Sequence, residues 1–152
     1  MNLWKLFKVA LVLAIVTHAF VHLAVVPGMN SEDGKALGWS GESWLLSGSL
    51  DDDTLWNLGL IMTALTIVFY LAATLGLLGV PGLKRTFVYM TATATAMSLL
   101  LFIVIWDGIE PDPNAAIFGP ITTSVIMLVV LLRKRIEAAL SPKTKVETSQ
   151  KA

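Results

Sequence analysis

Four long runs of apolar residues, separated by short polar segments, dominate the chain. They cover roughly Leu3–Val26, Thr54–Gly79, Thr86–Trp106 and Ala115–Leu132. A hydrocarbon layer about 30 Å thick needs about 20 mostly apolar residues in helical form. The first three runs meet that length and the fourth comes close. Backbone N–H and C=O groups in lipid must pair within their own segment, so each run is predicted to be a helix. The stretch Thr91-Ala92-Thr93-Ala94-Thr95-Ala96 alternates as a strand would, but a lone strand cannot satisfy its backbone in hydrocarbon. Pro27-Gly28 stops the first run, and Gly79-Val80-Pro81-Gly82 stops the second. Pro120 lacks a backbone donor and predicts a kink or a late helix start in the fourth. The expected fold is all-α: an integral membrane four-helix bundle, up-down-up-down, forming a single domain over residues 1–140 with an outer loop at 27–53. The tail, 141–152, is expected to be a disordered, solvated end.

Composition narrows the classes further. Of 152 residues, 55% are hydrophobic and 14% charged, with a mean hydropathy of +0.73. Soluble domains carry about 25% charged residues, so a soluble enzyme and a disordered chain are both excluded. The absence of Cys removes disulfides, thiolate metal sites and cysteine nucleophiles.

Acidic and basic residues balance in number but not in place. Lys5 and Lys8 precede or enter the first run, Lys84 and Arg85 lie between the second and third, and Arg133, Lys134, Arg135, Lys143, Lys145 and Lys151 follow the fourth. Lys35 alone lies on the other side, where Glu32, Asp33, Glu42, Asp51, Asp52, Asp53, Asp107, Glu110 and Asp112 collect. Basic residues mark the cytoplasmic side. Both termini are therefore expected in the cytoplasm of a cell with this protein in its plasma membrane. The rival reading of the first run is a signal peptide, with small residues near Ala19 or Ala24. The run continues well past a typical signal core, which favours a retained helix.

Within the outer loop, Trp39, Trp44, Leu45 and Leu46 suit a headgroup interface and suggest a short amphipathic segment at Gly41–Ser47. Asp51, Asp52 and Asp53 suit the positive start of the second helix. In the third run the pairs Ala92/Ala96 and Ala94/Ser98 allow close helix approach, which places that helix centrally. The basic tail suits the anionic inner leaflet, and no basic surface interleaved with aromatics suggests nucleic acid.

Candidate chemistry centres on two histidines. His18 and His22 are the only ones, four residues apart, and so on one helical face. Ionisable groups inside a span are costly and usually face a bundle interior or a wet cavity. Asp107, closing the third run, and Trp56, opening the second, fall near the same depth. Three readings follow. The imidazoles pin helices together, line an outward-open pocket with Trp56 and Asp107, or ligate a metal or haem, the metal set being His18, His22 and Asp107. An H-x-x-x-H pair with a carboxylate can hold a divalent ion, but Ala19 stands where a metalloprotease has its Glu. Neither a catalytic triad nor a phosphate loop is present, and no cofactor is secured.

Several short motifs occur together: His18-Ala19-Phe20-Val21-His22-Leu23, Ser43-Trp44-Leu45-Leu46, Leu55-Trp56, Trp106-Asp107 and Ile117-Phe118-Gly119. In these the chain resembles uncharacterised small prokaryotic membrane proteins with four spans, a likeness that implies architecture and no activity. In shape it is remotely similar to DoxX-like membrane proteins, which are associated with quinone-linked redox complexes. The expected function is binding or accessory, with a polar pocket opening outward between the helices. The alternatives are a redox or metal-dependent membrane enzyme, or one of its subunits, and a structural subunit of a larger membrane complex. Expected partners are the bilayer, a small amphipathic ligand or another membrane protein.

Overall fold

The computed structural model describes residues 3–25, 38–110, 114 and 117–141. The expectations for the Pro27-Gly28 stop, Lys35, Asp112, the Ala115 start and the tail after Ser141 lie outside these residues. The chain is mostly helical. Helix α1 spans Leu3–Val21, α2 Asp52–Leu78, α3 Phe87–Ile105 and α4 Phe118–Leu140. Three of the helical segments (α1, α2, and α3 with the turn that follows it) are long and apolar enough to cross a membrane. The fourth is not, because its apolar part ends at Arg133 and the helix runs on through Lys134 and Arg135 to Leu140. It therefore passes the expected end at Leu132 and stops at Ser141, the residue before Pro142, where the proline disfavours helical backbone.

The helices touch in a ring: α1 meets α2 and α4, and α3 meets α2 and α4. Large apolar side chains stand outside this ring, among them Leu13, Val68, Ile103, Phe118 and Leu131. Thr63, Thr66, Thr74, Thr91, Thr95, Ser98, Thr123 and both histidines lie inside. They share the interior with apolar side chains such as Leu11, Ile15, Tyr70 and Leu101, and the apolar exterior suits a surround as apolar as the side chains themselves. Three interior hydroxyls bond back along their own helix: Thr66 to the Met62 carbonyl at 2.8 Å, Thr74 to that of Tyr70 at 3.0 Å and Thr91 to that of Phe87 at 2.8 Å. On α3 the Ala94/Ser98 pair is buried with Thr91 and Thr95, whereas Ala96 faces outward. The close-approach face is thus one of the two expected.

One end of the ring carries a small cap absent from the all-helical expectation. Gly38–Trp39 (β1) pairs antiparallel with Ile109–Glu110 (β2). Trp39 is buried, and its ring covers Gly59 so closely that a Cβ there would stand 2.1 Å from it. The expected amphipathic segment takes the form of turns over Trp44–Ser49 that serve the end of α3. The Ser43 hydroxyl donates to the Val104 carbonyl at 2.6 Å and the Trp44 indole to that of Ile103 at 2.6 Å. These satisfy carbonyls that a helix end leaves without intrahelical partners. Asp51 caps α2, its carboxylate accepting from the Thr54 amide at 2.9 Å and the Thr54 hydroxyl at 2.7 Å.

Two outcomes follow from these contacts. Gly59→Ala should cost about 1–3 kcal/mol, because the Trp39 ring must move, whereas Gly119→Ala, whose Cβ meets nothing within 4 Å, should leave stability unchanged or slightly raised; unfolding in detergent measures both. The two Thr54 bonds hold the Asp51 carboxyl below its ordinary value of 3.8. The cap's contribution is therefore complete above that value and is lost as pH falls through the depressed one. Carboxyl carbon shifts of Asp51 across an acid titration read this directly.

Candidate functional site

Helix α1 ends earlier than its apolar run, at the residue before His22. The His22 Nδ1–H donates to the His18 carbonyl at 3.0 Å, so the ring folds back on the last turn of the helix. Beyond it the backbone tightens into a 3₁₀ turn at His22–Val25, as helix ends commonly do. Since a carbonyl can only accept, the proton on this imidazole sits on Nδ1. In the neutral ring Nε2 must then accept, and it does so from the Ser98 hydroxyl of α3 at 2.9 Å. His22 thus ties the end of α1 to α3.

His18 lies one turn earlier, 4% exposed. Its ring meets that of His22 edge-on at 5.0 Å and that of Tyr70, on α2, edge-on at 5.3 Å. The Tyr70 hydroxyl is bonded to that of Thr123 on α4. One polar centre therefore draws on all four helices: His18 and His22, Tyr70, Ser98, and Thr123. Two of its buried polar atoms have no hydrogen-bond partner among the described residues, His18 Nε2 and Thr95 Oγ1. Buried polar atoms are nearly always paired, so each exception calls for an explanation.

A cavity of about 480 Å³ lies against this centre. Ala14, Thr17, His18 and Val21 of α1 form one wall, and Phe118 and Gly119 at the start of α4 face them. Gly119, the second residue of α4, adds no side chain there, and a Cβ on it would meet nothing within 4 Å. Pro120 falls in that first turn, where a missing donor costs nothing.

The four residues expected to share a pocket divide between two places. His18 and His22 belong to the buried centre. Trp56 stacks on Trp39 with centroids 6.0 Å apart, within the cap. The Asp107 carboxylate accepts from the Trp44 amide at 2.7 Å and is exposed. No three His, Cys, Asp or Glu side chains among the described residues gather closely enough to hold a metal ion, so the set His18, His22 and Asp107 is not assembled. Sequence order alone passed over Tyr70, Ser98 and Thr123 as partners. A tyrosine in the middle of an apolar run was the available signal for Tyr70. The cavity wall at Phe118 and Gly119 left no signal beyond the glycine itself. No family model, curated protein or solved structure matches this chain.

The His22–Ser98 bond is directly measurable. Ser98→Ala should cost about 1–3 kcal/mol by leaving His22 Nε2 unpaired. A paired change, Ser98→Ala with His22→Phe, should cost less than the sum of the two single changes, as a double-mutant cycle in detergent would show.

Proposed function

We propose that this chain is a small multi-pass plasma-membrane protein that binds a ligand at the His18 centre. In this reading its four helices form an up-down-up-down bundle with both termini cytoplasmic. The charge distribution supports that orientation. So does Arg133, whose guanidinium lies 4.4 Å over the ring of Phe87, two residues after Arg85. Lys84, Arg85 and the Arg133–Arg135 cluster then share one end, while Asp51, Asp107 and the tryptophan cap share the other. The short apolar part of α4 reaches the interface because Arg133 can extend its charged head outward along an apolar stem.

The observation that carries the binding role is the unpaired Nε2 of His18 beside a cavity. An imidazole serving only to join helices would use both nitrogens, as His22 does. Leaving one unpaired in an apolar interior costs about 1–3 kcal/mol, a cost without return unless something else supplies the bond. The pocket so defined is more apolar than the sequence suggests and does not use Trp56 or Asp107. A metal-dependent role has no three-donor set among the described residues to support it.

The test is His18→Phe, which keeps the ring shape and removes the unpaired nitrogen. We expect the variant to be at least as heat-stable in detergent as the parent, and to lose small molecules that native mass spectrometry finds on the parent. A destabilised variant that keeps the same bound species would contradict the binding role.

A further inference from the structure

We infer that the cavity between α1 and α4 takes a neutral, membrane-dissolved amphiphile, a long apolar chain with one hydroxyl or carbonyl head that pairs with His18 Nε2. This occupant presupposes the binding role of His18 and adds the class of ligand and its route of entry.

The walls select the head. Among the described residues no Lys, Arg, Asp or Glu lines the cavity, and beside these walls a phosphate, carboxylate or ammonium would be stripped of water without a counter-charge. The Thr122 hydroxyl on the wall already donates to the Phe118 carbonyl at 2.7 Å. Thr17 also lines the cavity but is exposed; among the described residues that line it, His18 Nε2 is the buried polar atom with no partner. A neutral imidazole nitrogen accepts from a hydroxyl in one tautomer and donates to a carbonyl in the other. Pure hydrocarbon would fill the space and still leave Nε2 unpaired. That nitrogen is shut off from solvent and its ring packs against those of His22 and Tyr70, so binding includes a rotation of the His18 ring toward the cavity it lines.

The surroundings select the route. Large apolar residues of the cavity wall, Leu13 and Val21 on α1 and Phe118 on α4, are exposed by 60%, 45% and 71%. In a bilayer such faces meet acyl chains, so a molecule entering between them comes from the lipid. The volume, about 480 Å³, falls in the range of small-molecule sites, about 300–1,000 Å³. It holds the head and the first part of a chain whose remainder lies along Val21 and Phe118.

The test uses the full chain in phospholipid nanodiscs with three photoactivatable diazirine probes: hexadecanol, headless hexadecane and water-soluble butanol. Labelled peptides are quantified at residues 13–21 and 117–122 against lipid-facing Leu65 and Val68 on α2. The hexadecanol probe should favour the cavity peptides by at least about tenfold and be displaced by unlabelled hexadecanol, while the headless probe labels all sites alike. Gly119→Leu and Ala14→Leu, which fill the space from opposite walls, and His18→Phe should each abolish that preference, with the melting temperature of Gly119→Leu unchanged. Even labelling by hexadecanol, or equal enrichment of the headless probe, overturns the inference. Enrichment of butanol that depends on His18 and ignores Gly119→Leu overturns the lipid route while keeping His18 as a binding residue. Labelling that ignores His18 for every probe removes both.

Discussion

Polar groups enclosed by apolar helices have only each other to bond, and the structure is organised by that constraint. With water absent, an unpaired N–H or hydroxyl forfeits its full solvation. Interior threonines therefore turn back on their own helices, as at Thr66, Thr74 and Thr91. Others reach across, Ser98 to His22 and Tyr70 to Thr123, while the buried Thr95 hydroxyl has no partner among the described residues. The result is an interior threaded with hydroxyls and imidazoles, and an exterior of leucine, isoleucine, valine and phenylalanine. An exposed apolar surface of that kind marks a face that meets a membrane or another protein.

The same constraint accounts for the two ends of the helix ring. At the capped end, the Ser43–Trp44 segment donates to the last carbonyls of α3, and Trp39 fills the hollow over Gly59 and beside Gly108. Just past the end of α1, His22 folds back on the His18 carbonyl and joins Ser98 of α3. The unpaired nitrogen of His18 is the conspicuous departure from this economy, and it lies where α4 leaves room.

The helices were legible in the sequence because run length and hydropathy are local properties. Their ends were less so. Nothing in the run Leu3–Val26 announces that His22 will fold back on the His18 carbonyl. The basic cluster Arg133–Arg135 ends the apolar stretch but not the helix, since arginine and lysine are good helix formers in water. Depth along a span suggested grouping His18, His22, Trp56 and Asp107, yet depth does not fix direction around a helix axis. Trp56 turns to Trp39, and Asp107 serves the Trp44 amide. Tyr70, Ser98 and Thr123 emerge as neighbours only when α2, α3 and α4 are packed against α1. The two-residue strand pair rests on contacts between segments about seventy residues apart, which no local pattern encodes.

The account depends most on lipid being the medium around the helices, and chemical accessibility tests that directly. The chain has no cysteine, so Leu13→Cys, Val68→Cys and Ile103→Cys each introduce a single thiol at a side chain that is 60%, 58% and 51% exposed, respectively. In intact membranes these thiols should resist a charged, water-soluble maleimide and react with a lipid-soluble one. Rapid modification of all three by the water-soluble reagent would mean that water bathes these faces, and the account would fail.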